Sequence, residues 1–208
     1  MARINVNPNR MELSRLKKRV AVAKRGHKLL KDKQDALIKA FLERARAGKV
    51  LREEVEAELK EAYGSFVLSR AQTTPEVLEQ ALMFPGAKCS LSVTWKNVMS
   101  VLVPEYEVKQ EGNPVNYGFA SVPLLLDVAL EHFGKLILRL LTLAAEEKAI
   151  RLMAGEIERT RRRVNALEYV MIPNLTETIR YISMKLDEQE RSTLSRLMKI
   201  KEIVRKGA

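Results

Sequence analysis

The chain has 208 residues, 46% of them apolar, 30% charged and only 5% aromatic, a balance that suits long helices rather than a sheet sandwich and excludes a disordered polymer. Its net charge is +11, unevenly spread: residues 1–33 carry eleven Lys/Arg against two acids, residues 151–208 thirteen against eight, and the middle thirteen against sixteen. The single cysteine, Cys89, can form no intramolecular disulfide, and the two histidines, His27 and His132, stand too far apart in sequence to suggest a zinc cluster; a reducing, cytoplasmic setting is expected.

The N-terminus, MARINVNPNR, lacks the apolar core of a signal peptide. The greasiest stretch, Leu136 to Ala145, is interrupted by Arg139 and is too short to span a bilayer, so no direct membrane insertion is expected.

From Leu13 the residues Leu16, Val20, Ala23, His27, Leu30, Gln34, Leu37 and Phe41 follow in alternating steps of three and four, the seam of a coiled coil. Asn7-Pro8-Asn9 supplies a helix start, and the stripe continues through Ala45, Gly48, Val55, Leu59, Ala62 and Phe66 to the break at Thr73, so that residues 10–72 read as one helix. A helix of about 60 residues would be roughly 90 Å long, too long to wall a compact globule. Gly48 is its weak point, costing about 1 kcal/mol relative to alanine.

Residues 73–117 change character. A short helix over Pro75–Met83 precedes a β-hairpin at about residues 89–104. A three-residue loop, Lys96-Asn97-Val98, would pair Trp95 with Met99, Val93 with Val101 and Leu91 with Val103, placing six apolar side chains on one face for a helix to cover. Pro104 would then end the ribbon.

A second helix pattern occupies residues 118–205. It opens near Ser121-Val122-Pro123 and runs through Leu126, Leu130, Phe133, Ile137, Leu140 and Ala144 toward Ile157. Beyond, Leu167, Met171, Leu175, Ile179, Ile182, Leu186, Gln189, Thr193, Leu197, Ile200 and Val204 continue the stripe, 37 residues in ten steps, a mean of about 3.7. Pro173 removes the bond to the carbonyl of Tyr169, so a kink is expected there. Neither long helix can bury its stripe alone. The expected fold is mainly α, an antiparallel two-helix coiled coil of the N- and C-terminal helices with a hairpin in its middle segment, forming a single elongated domain over residues 1–208.

Several residues invite functional readings. Arg161, Arg162 and Arg163 span 200° of helix surface, so at most two face one partner. The basic N-terminal run from Arg15 to Lys31 could be a nucleic-acid patch, but it lacks stacking aromatics and surrounds its helix instead of lining one side, so nucleic-acid binding is not expected. His27 is read as a packed polar seam residue, and Gln34, Gln189 and Thr193 as residues that set register. Glu168, Asp187, Glu188 and Glu190 are read as surface ion pairs rather than acid–base groups. No catalytic, cofactor-binding or metal-binding residues are expected.

Taken together, TRRRVNALE from Thr160, Ile172-Pro173, LDEQER from Leu186, RLMKIK from Arg196, Pro8-Asn9-Arg10-Met11 and GHKLLKDK from Gly26 resemble the D subunit of the V-type and A-type rotary ATPases over nearly the whole chain. Within that family the likeness is greatest to bacterial sodium-pumping enzymes, where a hairpin interrupts the coil. Lys33-Gln34-Asp35 and Met198 are small departures. The resemblance implies a non-catalytic central rotor axle without cofactors, cytoplasmic and peripheral to the membrane. Its partners would be the small F subunit of the stalk, the hexameric ring of catalytic A and non-catalytic B subunits, and the funnel-shaped subunit above the membrane rotor ring. It also implies that the arginine triplet meets carboxylates of the ring and that Trp95, Lys96 and Asn97 touch a neighbouring subunit. The alternative is a stand-alone basic coiled-coil scaffold or a nucleic-acid-binding protein.

Overall fold

The computed structural model describes residues 6–118 and 122–206. Its elements, in order, are α1 (Arg10–Gln72), α2 (Pro75–Leu82), β1 (Lys88–Val98), β2 (Val101–Glu111), α3 (Leu124–Asn165), a π-helical turn (Ala166–Met171) and α4 (Ile172–Lys206). The fold is mainly α with a small antiparallel hairpin, as the sequence indicates. Packing divides the chain into two compact units, Leu37–Ile157 on one side and Met1–Ala36 with Glu158–Ala208 on the other; the divisions fall inside α1 and α3.

In the unit made of the chain ends, α1 starts where expected. The side-chain oxygen of Asn9 accepts the Glu12 N–H at 2.6 Å, satisfying one of the donors that a helix start leaves open. Leu16, Leu175 and Ile182 form a buried cluster, flanked by Leu13, Val20, Ile179 and Leu186. Residue numbers rise on α1 as they fall on its partner: Arg10 pairs with Glu190, and His27 meets Glu168 at 3.3 Å. The pairing is therefore antiparallel, and the stripe holds from Leu175 to Leu186, while Met171 ahead of it is exposed. Past Leu186, every described residue of α4 is exposed, including Leu197 (57%), Ile200 and Val204. Gln189 and Thr193 do not set register, since both are exposed and the Thr193 hydroxyl donates to the Gln189 carbonyl of its own helix at 2.8 Å.

Pro173 produces a wider turn. Because proline brings no N–H for the Tyr169 carbonyl, the preceding turn opens into a π-helix, in which the Ile172 N–H donates to Leu167, five residues back. A π turn shifts every later residue of α4 around the axis, which is one source of the uneven seam spacing.

In the other unit α1 and α3 also run antiparallel. Half-buried Arg44 donates to both carboxylate oxygens of Glu146 (3.0 and 3.2 Å), Arg139 pairs with Glu58, and Phe66 meets the Phe133 ring edge-on with centroids 6.3 Å apart. Gly48 lies where the helices approach closely, since a Cβ there would stand 3.1 Å from Ile150 Cδ1. On α3 Leu126 is buried and Phe133 packs on the core as expected, but beyond Phe133 the seam is one residue out of the expected phase. Leu136 and Leu143 are buried, while Ile137, Leu140 and Ala144 are exposed, and on α1 Leu59 is exposed as well. In a run as apolar as LILRLLTLAA several phases fit equally well; the partner surface selects one. The expected helix opening at Ser121 lies outside the described residues; Pro123 offers its carbonyl to the Leu126 N–H at 2.9 Å.

The hairpin departs most from expectation. Its turn has two residues, Met99 and Ser100, both with positive φ (51° and 71°), and it pairs Val98 with Val101, Trp95 with Pro104 and Leu91 with Val108. This is the twist-matched primed turn, here without the usual Asn-Gly, and the Asn97 side chain supports it by accepting the Ser100 N–H at 2.9 Å. The ribbon continues through Pro104 to Glu111, where Gly112 (φ 95°) closes it. The six apolar residues are accordingly split. Val101 and Val103, joined by Val98 from the expected loop, pack with Leu37, Met153 and Ala149 in a core cluster, whereas Leu91, Val93 and Trp95 occupy the opposite face and Met99 lies in the turn, all four exposed.

Two residues on the same expected α4 stripe should therefore behave differently. Ile182→Ala should destabilise the isolated chain by about 2–5 kcal/mol and Leu197→Ala by no more than about 0.5 kcal/mol, read from urea unfolding followed by circular dichroism.

Candidate subunit interface

The expected contact residues fall into two groups. Arg161, Arg162 and Arg163 lie at the end of α3, all exposed, between buried Thr160 and Val164 that anchor this turn. Arg162 pairs with Glu158 one turn earlier on its own helix. The triplet thus presents a fan of guanidinium groups, suited to paired carboxylates.

The second group lies on β1, where Trp95 is 59% exposed. Lys96 and Asn97 are less available than the sequence suggests. Lys96 Nζ lies 3.0 Å from Glu105 across the strand pair, and Asn97 serves the turn. The more exposed apolar material is the row Leu91, Val93 and Trp95.

Two features of the chain-end unit escape sequence reasoning because they require two helices to be placed side by side. One is a groove of about 490 Å³ floored by Val22, Ala23, Leu167, Met171 and Leu175, with Arg15, Lys18 and Arg19 at its rim. The other is the approach of His27 to Glu168, which fixes the π turn against α1; in the sequence His27 shows only as a polar seam residue.

In the segment joining the hairpin to α3, the Tyr117 hydroxyl donates to Asp127, and burial followed by this bond raises the phenol far above its ordinary value. Among the exposed groups, the Lys135 ammonium beside Glu131 holds that carboxyl below its usual range. Among the described residues no group of three or more His, Cys, Asp or Glu side chains converges as a metal site, and no helix is long and apolar enough to cross a membrane.

Residues 12–202 match the family of ATP synthase D subunits. The chain belongs to that family. It is 56% identical over 209 residues to the D subunit of the V-type ATP synthase of Thermoanaerobacter sp. (strain X514), with 100% of both chains covered. The corresponding protein of Clostridioides difficile (strain 630) is 53% identical over 211 residues, covering 100% of this chain and 95% of the relative, and that of Clostridium novyi (strain NT) is 51% identical over 211 residues, covering 99% and 98%. Membership of the D-subunit family makes this chain a component of a multisubunit ATPase complex.

The Tyr117–Asp127 pair has a pH signature. The unfolded phenol loses its proton near pH 10 and the folded one only well above it, so the folded state binds more protons in that window and stability must fall as pH rises past 10. Tyr117→Phe should flatten this alkaline slope and cost about 1–2 kcal/mol at pH 7 by leaving Asp127 without its donor, as measured by denaturant titrations at pH 7 and 11.

Proposed function

We propose that this chain is the central-stalk axle of a V/A-type rotary ATPase, a non-catalytic subunit that transmits torque between the ATP-hydrolysing ring and the membrane rotor. The observation that carries this reading is antiparallel helix pairing within both units, in a chain similar to V-type ATP synthase D subunits from end to end. Two helices locked by an apolar seam and cross-helix ion pairs resist twisting better than one. The partners are the small F subunit of the stalk, the hexamer of A and B subunits and the funnel-shaped subunit above the membrane ring.

Symmetry supplies the mechanism. An asymmetric axle inside a ring with threefold character presents a different face to each catalytic interface, so the three nucleotide sites cannot be equivalent. Contacts that differ between those interfaces bias each site toward a different state, and the difference in contact is all that an axle can contribute. The π turn and the interrupted seam provide the asymmetry. The arginine triplet meets carboxylates of the ring, and the hairpin touches a neighbouring subunit through the face that carries Trp95.

Reconstitution with the ring subunits and the small stalk subunit tests this reading. The chain should join at one copy per hexamer, and replacing Arg161, Arg162 and Arg163 together by Glu should lower coupled hydrolysis by about tenfold, equivalent to about 1.4 kcal/mol of lost contact. Homo-oligomers that ignore the ring would point to a free-standing scaffold instead, and tight, salt-steep binding of nucleic acid to a nucleic-acid-binding protein.

A further inference from the structure

The hairpin has two unlike edges. With Met99 and Ser100 as the turn, Val98 and Val101 form the first hydrogen-bonded pair, and bonded and non-bonded pairs alternate from there. The inward-facing residues of β1 are then Lys96, Thr94, Ser92 and Ser90. Consistent with that, the hydroxyls of Thr94, Ser92 and Ser90 donate to the carbonyls of Glu105, Glu107 and Lys109 directly opposite, at 3.2–3.3 Å.

The outward-facing residues are Leu91, Val93 and Trp95 on β1, and Leu102, Pro104 and Tyr106 on β2. Pro104 brings no N–H, so the outer row of β2 has a missing donor at its middle. The outer row of β1 is uninterrupted. β1 is also exposed from Lys88 to Asn97, whereas β2 seats Val101 and Val103 in the core. Leu91, Val93 and Trp95 point their backbone groups to that open edge and also carry its exposed apolar side chains (47%, 44% and 59%).

We propose that β1 is a strand-addition edge, which takes an extended segment of another subunit of the ATPase complex and turns the two-stranded ribbon into a three-stranded sheet. Main-chain hydrogen bonds hold such a strand, and side chains at alternate positions select it. The segment is apolar at every second residue, lying beside Leu91, Val93 and Trp95, and polar between, with a carboxylate facing Lys88. A second copy of this chain is the poorer occupant, because β1 carries two lysines and no acid and two copies would set like charges side by side. An uncovered two-stranded ribbon is marginal in water, and a third strand stabilises it.

This inference rests on the stalk reading, and the test separates the two. Residue-resolved amide hydrogen exchange is measured on the full chain alone and in the complex reconstituted with the other soluble subunits. The amides of Leu91, Val93 and Trp95 should exchange freely in the isolated chain and about tenfold or more slowly in the complex, while those of Ser92 and Thr94 are protected in both. Val93→Pro removes an outward donor while sparing the N–H groups that bond β1 to β2, and should weaken the complex by about tenfold while Ser92 and Thr94 stay protected. A complex in which the three outward amides still exchange freely overturns the inference and leaves the stalk reading standing. Failure to form any complex overturns both, and a dimer of the isolated chain that protects those amides assigns the edge to a second copy and overturns it as well.

Discussion

The antiparallel seam between α1 and the helices that return beside it is the interaction on which the rest of the structure depends. Neither α1 nor the α3–α4 stretch is apolar enough to collapse on itself, and neither has a reason to stay helical without a partner to bury its stripe. In the chain-end unit the seam runs through Leu16, Leu175 and Ile182; in the other unit it runs through Val55, Leu136 and Leu143. Each fully buried side chain of this size contributes about 1.5–3 kcal/mol, and the ion pairs that flank the seam fix its register more than they add stability. Where the seam stops, at Leu186, the chain offers apolar side chains to whatever surrounds it.

The hairpin depends on that seam on one side only. Val101 and Val103 fill a space between Leu37 and Met153, so the ribbon is pinned to the paired helices through β2, while β1 faces outward with its apolar row intact. A change that merely cuts residues 89–103 away would take Val101 and Val103 out of the core along with the exposed strand, confounding an interface with a packing defect. Substitutions confined to the outer row of β1 leave the core alone.

Much of this fold was legible in the sequence because the heptad steps from Leu13 to Phe41, Asn9 as a helix start and the break after Gln72 are local signals with a single physical solution. The antiparallel pairing followed from the lack of any other way to bury two long stripes. What was not legible had degenerate local solutions. The run from Leu136 to Ala145 is apolar at so many positions that only the partner helix chooses between phases, and it chose Leu136 and Leu143 over Ile137 and Leu140. At the hairpin, alignment of six apolar residues argued for a three-residue loop, but the backbone twist of a two-residue primed turn prevailed even with Met99 and Ser100 at positive φ. Pro173 announced a disturbance whose form, a π turn held to His27 through Glu168, needed α1 in place. Of the candidate interface, the arginine triplet was legible as a solvated face, whereas Trp95, expected beneath a helix, is exposed, and Lys96 and Asn97 are engaged within the hairpin.

The central claim, that this chain turns as an axle, is tested most directly by watching it turn. A bead attached to a cysteine placed at exposed Gln80, in a chain whose Cys89 is replaced by Ser, reports its motion inside a surface-held ring fed with ATP. The account predicts unidirectional rotation in thirds of a turn, set by the threefold character of the ring. A bead that stays fixed while the ring hydrolyses ATP at its full coupled rate would contradict it.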